Sequence, residues 1–314
     1  MMRMDGRTVG LGVTGATGFV TLALAAIGLR FYDLGIARRE RGFLANDPEL
    51  AELPSPDTAW ITAQPLETLD LTSRDGLRLR GYYLPAPQPT TNLVILAHGY
   101  GGRAQKDMGG FARLYHESFG YHVFMPDARG HGASEGNYIG FGWPERRDYL
   151  DWIALFRYRL GDEVRIVLHG VSMGGATVLM TSGEALPPQV RAVIADCSYT
   201  SAKAELTYQL RRLYHLPAFP IGPVTSLICK LRAGYFFGEA SALAQVRRSR
   251  IPTLFIHGEA DEFVPTAMVY PLHEACAADK ALFLVPGAGH GLAYAADPDG
   301  YTAQMAALLG RTMT

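Results

Sequence analysis

Residues 165–180 read R-I-V-L-H-G-V-S-M-G-G-A-T-V-L-M: an apolar run that stops at a glycine, a single serine between glycines, then a helix-forming stretch. A serine hydroxyl is a poor nucleophile until a base takes its proton and donors hold the oxyanion it creates. G-x-S-x-G between a strand and a helix is the setting that meets part of this need. Gly170 and Gly174 leave room for a tight turn that would lift Ser172 above a sheet, and the helix beginning there aims its amides and positive dipole end at the same point. A glycine-rich turn carrying an incidental serine has the same local pattern, so the partners decide.

The base is expected downstream. His290, in V-P-G-A-G-H-G, follows the last apolar run on a glycine-rich loop that could bring its ring to Ser172. His98, His169 and His257 stand at the ends of apolar runs before glycines or turns, where a structural hydrogen bond is the default, and His131 sits in D-A-R-G-H-G-A-S, a loop suited to bracing a site's rim. An imidazole base needs an acid to fix its tautomer and balance its charged form. Asp261, in F-I-H-G-E-A-D-E-F-V-P, follows the penultimate apolar run, and Ser172, Asp261, His290 is the nucleophile, acid, base order expected when the serine stands on a strand-to-helix turn of such a sheet. Asp196, at the end of an earlier run, and the flanking Glu259 and Glu262 are the alternatives. Two backbone amides complete the set as an oxyanion hole. Met173, directly after the serine, is expected to give one, and Tyr100 in the A-H-G-Y-G-G turn the other.

These groups need a scaffold that gathers loop ends on one side. From Leu66, E-T-L-D-L-T-S-R-D-G-L-R-L-R-G-Y-Y-L places a D-G turn between two alternating runs, an antiparallel hairpin. N-L-V-I-L-A, Y-H-V-F-M-P, V-R-I-V-L-H, R-A-V-I-A-D, T-L-F-I-H-G and A-L-F-L-V-P follow, separated by helix-length segments. Unbroken apolar runs suit strands buried on both faces, so a mostly parallel sheet covered by helices is predicted. After the sixth strand the rhythm breaks for a stretch rich in large apolar residues, among them Leu213, Tyr214, Phe219, Tyr235 and Phe236, which reads as a helical lid over about residues 198–248.

The amino-terminal part differs in kind. Thr8–Leu29 carries no charged residue and, as a helix, would rise about 33 Å, enough to cross a bilayer. Residues 1–37 are therefore expected to form a transmembrane or signal-anchor segment with its flanks, 38–65 a proline-bearing connecting arm, and 66–314 the catalytic domain. G-V-T-G-A-T-G-F-V at 12–20 resembles a dinucleotide-binding turn, but the second strand and the acidic residue about 20 positions on are missing. Gly10, Thr14 and Gly18, four apart, form a small-residue face suited to another helix.

A formal charge of −1 gives a nucleic-acid partner no electrostatic support, and Cys197, Cys229 and Cys276 lack the spacing of a disulfide framework or zinc site.

H-G-Y-G-G, D-A-R-G-H-G-A-S, G-V-S-M-G-G, H-G-E-A-D-E-F-V-P and G-A-G-H-G, in this order, resemble the α/β-hydrolase superfamily. More narrowly they are similar to bacterial membrane-anchored or exported serine hydrolases of the esterase, lysophospholipase and serine-aminopeptidase-like group. The resemblance implies an α/β-hydrolase fold, and hydrolysis of a small-molecule carboxylic ester through an acyl-enzyme without metal or organic cofactor. An amide or peptide hydrolase and a noncatalytic binding protein on the same fold are the alternatives. It also implies a domain outside the cytoplasm, whereas the arginines after the apolar segment, Arg30, Arg38, Arg39 and Arg41 against Arg3 and Arg7 before it, favour the cytoplasmic face.

Overall fold

The structure, a computed structural model, describes residues 22–38 and 58–314. Its centre is one eight-stranded sheet in the order β1-β2-β4-β3-β5-β6-β7-β8. β1 (Glu67–Thr72) and β2 (Arg78–Leu84) are the predicted hairpin, paired Glu67 to Tyr83 through Thr72 to Arg78. β2 continues antiparallel onto β4 (His122–Pro126), and from there every pairing is parallel, through β3 (Asn92–Ala97), β5 (Arg165–Val171), β6 (Val190–Asp196), β7 (Thr253–Gly258) and β8 (Lys280–Val285). The strands that read as unbroken apolar runs are the ones buried on both faces. Leu93, Val94, Ile95 and Leu96 of β3 are all at 0 % exposure, so neither face of the central sheet meets water.

Helices cover both faces. On one side α4 (Glu145–Leu160) and α5 (Met173–Ser182) bury Trp152, Phe156, Met173 and Leu179 against the sheet. On the other, α3 (Ala104–Arg113) and the carboxy-terminal α11 (Pro298–Thr312) bury Met108, Phe111, Tyr301 and Met305. The insertion after β6 is helical, as its composition predicts: α6 (Ala202–Tyr214), α7 (Ile221–Ala233) and the short α8 (Ala242–Val246). Ser201 starts α6 by accepting the Ala204 amide on its hydroxyl, 3.1 Å.

The chain before Leu66 is more deeply involved than its sequence suggests. Residues 22–35 form a helix, α1, whose end is built into the body: Tyr32 and Ile36 are core residues, the Ile139 amide donates to Ile36 O at 2.7 Å, and Ala37 bridges to Tyr138. α2 (Thr58–Thr62) buries Ile61 completely. No helix among the described residues is long and apolar enough to cross a membrane. Most of the uncharged segment, including the glycine-rich stretch at 12–20 and the Gly10–Thr14–Gly18 face, lies outside the described residues. Of the part within them Leu22, Ile27 and Leu29 are exposed, whereas Gly28 faces α7 so closely that a Cβ there would stand 2.7 Å from both Val224 and Ile228.

Candidate active site

The turn after β5 is a tight one, and the reason is steric. A Cβ at Gly170 would overlap the Gly174 carbonyl, and a Cβ at Gly174 would overlap that of Ala97, so only glycine allows the new helix to start against β3. Ser172 itself has φ 58° and ψ −119°, a conformation that costs an L-residue about 1–3 kcal/mol and that the surrounding packing must impose. Its amide is fixed by Asp196 O at 2.9 Å, which leaves the side chain at the end of the sheet where the loops converge.

Three loops bring their groups together there. Ser172 Oγ lies 2.9 Å from His290 Nε2, and His290 Nδ1 lies 2.8 Å from Asp261 Oδ2. Asp261 is buried, which by itself would raise its pKa. The His290 and His257 rings beside it outweigh burial and hold the carboxyl down at about 2, well below the ordinary carboxylate range. Its other oxygen, Oδ1, accepts the amides of Phe263 at 3.0 Å and Val264 at 2.8 Å, so the side chain cannot rotate away. An ionised Asp261 makes His290 Nδ1 the donor. Nε2 is then the acceptor, the tautomer that can take a proton from Ser172.

The alternative acids stand elsewhere. Asp196 turns to the Tyr301 hydroxyl, 3.1 Å away, and burial pushes it up to about 6; Glu259 and Glu262 are exposed. His257 donates from Nε2 to Val264 O at 2.9 Å and lies 3.2 Å from Asp261, bracing the acid. His131 accepts the Gly101 amide on Nε2 at 3.1 Å and is held neutral by burial at about 3, a rim brace as its loop suggested. His169 links the Tyr115 and Tyr301 hydroxyls, and burial lowers it to about 3 as well.

Met173 is the first residue of α5, where an amide has no partner within its own helix. The loop carrying Tyr100 runs beside it, since a Cβ at Gly99 would stand 3.6 Å from Ser172 Cβ. The Tyr100 phenol is turned away to donate to Gly35 O of α1 at 3.0 Å. Among the described residues, Cys197, Asp261 and His290 bring possible metal-ligand atoms within 4.8 Å of one another. They suit a metal poorly, because burial pushes the Cys197 thiol well up and keeps it protonated, while the other two are already committed to each other.

A small space is lined by the serine, and a larger one lies beyond it, on the far side of Leu206. The small one, about 20 Å³, is lined by Ser172, Met173, Tyr199, Glu205, Phe263 and Val264 among others. The large one, of about 500 Å³, lies between α1 and the lid, walled by residues such as Phe31, Leu34, Leu210, Tyr214 and Phe237. Leu206 of α6 lines both. Sequence reasoning placed the lid but missed two parts of the site: α1 as a wall of the large space, and Glu205 as a carboxyl in the small one. The only sequence signal for Glu205 is an acidic residue in the first turn of a helix, which is ordinarily a solvated one.

The chain belongs to the alpha/beta hydrolase family, whose sequence profile matches residues 94–304. It is 28 % identical to the Bacillus subtilis protein YqkD over 284 residues, 89 % of this chain and 90 % of that one. To the Escherichia coli K12 protein YfhR it is 30 % identical over 237 residues, 71 % of this chain and 73 % of the other. Among solved structures, an esterase of Pyrococcus furiosus, Pf2001, superposes with a TM-score of 0.64 at 20 % identity, covering 80 % of this chain and 92 % of the esterase, a likeness of fold.

Proposed function

We propose that this member of the family is a serine hydrolase that cleaves carboxylic esters through an acyl-enzyme. The hydrogen-bonded line from Ser172 through His290 to Asp261 carries the reading. Ser172 Oγ attacks the ester carbonyl as its proton passes to His290 Nε2; Asp261 steadies the imidazolium. The Met173 and Tyr100 amides hold the oxyanion of the tetrahedral intermediate. When it collapses, the C–O bond to the alcohol breaks and His290 protonates the leaving oxygen. A water deprotonated by His290 then attacks the acyl carbonyl, and the acid leaves with Ser172 restored.

The large space favours an apolar acyl group. It is walled mainly by aromatic and aliphatic side chains, and each methylene buried there stabilises a bound chain by about 0.8 kcal/mol. A chain running from Ser172 into it would pass Leu206, which lines both spaces and would have to move aside for them to join.

The test is covalent labelling by an active-site-directed fluorophosphonate, with Ser172→Ala alongside, followed by p-nitrophenyl esters of graded chain length and the matching anilides. Labelling of the wild type alone, with esters turned over faster than anilides, is the expected result. A folded wild type that neither labels nor turns over any ester would leave the fold serving as a binding module.

A further inference from the structure

Above the serine stands a carboxyl for which the triad has no use. Glu205, in the first turn of α6, is 4 % exposed and lines the small space beside Ser172. Its Oε1 accepts from Gln209 Nε2 at 2.8 Å, while its Oε2 is buried without a hydrogen-bond partner among the described residues. Gln209 is fully engaged, donating also to Phe263 O at 2.8 Å and accepting from Arg212 Nη1 at 3.1 Å, so it has nothing left to offer Oε2. An unsatisfied buried polar atom costs about 1–3 kcal/mol, and one on a residue that lines a substrate space is a place where a substrate can supply the missing partner.

The charge state indicates which partner. Burial pushes Glu205 up to about 8; the Gln209 hydrogen bond and Arg212, both on its own helix, pull it down, while Asp261 across the space pushes further up. Tyr199, from the loop after β6, is itself pushed well up by burial and adds no charge. At neutral pH the group is an uncharged acid whose O–H donates to oxygen. The adjoining walls, Phe141, Leu206, Phe263 and Val264, are apolar. Because Leu206, the next residue, also lines the large space, Glu205 stands at the start of the path from Ser172 into it.

We propose that Glu205 is a specificity-determining residue that donates a hydrogen bond from Oε2 to a hydroxyl on the first few carbons of the acyl chain, making hydroxyacyl esters the preferred substrate class. The inference rests on Ser172 being the nucleophile.

The experiment compares kcat/KM for p-nitrophenyl 3-hydroxyoctanoate and octanoate in wild type, Glu205→Leu and Glu205→Gln, across pH 6–9.5. Wild type should favour the hydroxyacyl ester about tenfold, one hydrogen bond's worth. Glu205→Leu should bring the ratio to about one, and Glu205→Gln, whose amide still donates, should keep most of it. The wild-type ratio should change as pH rises through about 8, where the acid ionises and can only accept from the hydroxyl instead of donating to it, while that of Glu205→Gln stays flat. Should Glu205→Leu fail to fold, the last two profiles carry the test.

Equal rates on both esters in wild type, or identical pH profiles in wild type and Glu205→Gln, would overturn the assignment while leaving the hydrolase reading intact. A preference for an aminoacyl ester that grows above pH 8 would also overturn it, making the ionised carboxylate a cation binder. No turnover of either ester and no fluorophosphonate labelling would remove the nucleophile reading and this one with it.

Discussion

Asp261 on the floor of the site and Glu205 in its roof are carboxyls buried to nearly the same degree, at 5 % and 4 % exposure, and their surroundings drive them apart. Asp261 sits on a loop after β7, where two backbone amides converge on one oxygen and two histidine rings on the other. Glu205 projects from a helix flank, where one side-chain amide reaches one oxygen and nothing among the described residues reaches the second. One is held ionised near 2 and the other is pushed up to about 8. Burial sets the cost of a charge, and the number of donors decides whether the charge survives. The floor, made of strand ends, supplies donors from the backbone; the roof, a helix whose amides are spent on its own turns, does not.

The largest effect that can break this comparison is at the floor. Asp261→Asn preserves shape but removes the charge that makes His290 Nδ1 a donor, so kcat/KM on an ester should fall by about 10³–10⁴ with the fold retained. A fall of less than about tenfold would mean that the ionised acid is not needed. The same substitution should cost stability with a definite pH signature. A carboxyl whose folded pKa lies below its unfolded value of 3.8 stabilises the native state above about pH 4, and the benefit, about 2 kcal/mol, is lost as pH falls through that value toward 2. The Tm gap between wild type and Asp261→Asn should therefore shrink with acidification.

Glu205→Gln should behave in the opposite sense. With a folded pKa raised from 4.5 to about 8, Glu205's own contribution to stability is greatest below about pH 4.5 and is lost as pH rises to about 8, a few kcal/mol at most. The variant has no proton to lose. Its Tm should match or exceed that of wild type, by a margin that widens between pH 5 and 8, as thermal melts in matched buffers would record. A margin independent of pH would place the ionised form in the native state and remove the contrast between floor and roof.

What could be read from the sequence follows the same division. Each floor residue lies just beyond an apolar run and beside glycines, so a local pattern fixes both its place in the sheet and its end: Ser172 after β5, Asp261 after β7, His290 after β8. The hairpin was legible from its D-G turn and alternation, and the lid from its large apolar residues. Glu205 was not, because a glutamate in a first turn reads as solvated, whereas the space it lines is closed by Phe263 and Val264, distant in sequence. Tyr32 and Ile36 were read as flanks of an apolar segment for a related reason. An uncharged run does not announce what covers the residues after it, and here Tyr32 and Ile36 are covered by the protein's own core, with Gly28 against the lid and Ala37 against the loop through Tyr138.

The large space extends the comparison beyond the two carboxyls. Gly222, near the start of α7, lines it, and a Cβ there would meet nothing within 4 Å. Gly222→Leu therefore places its Cβ without a clash, on a wall of the space that the rest of the side chain would fill. If acyl chains occupy it, the variant should lose about tenfold in kcat/KM on a decanoyl ester and change little on a butyryl ester, since roughly two methylenes of contact are excluded. Equal losses on both would mean that the chain lies elsewhere.

The smallest effect tests how α1 is tied to the floor. The Tyr100 hydroxyl donates to Gly35 O at 3.0 Å, joining the turn that carries the proposed oxyanion amide to the helix that walls the large space. Tyr100→Phe keeps the ring against Phe141 and removes that hydrogen bond, at a cost of about 1 kcal/mol. Because the backbone amide is untouched, turnover of a butyryl ester should hold within about twofold. Residues 31–36 should exchange their amide hydrogens faster, and chain-length preference should weaken as that wall loosens. Unchanged exchange in this segment would mean that Tyr32 and Ile36, buried in the core, anchor α1 without help from Tyr100.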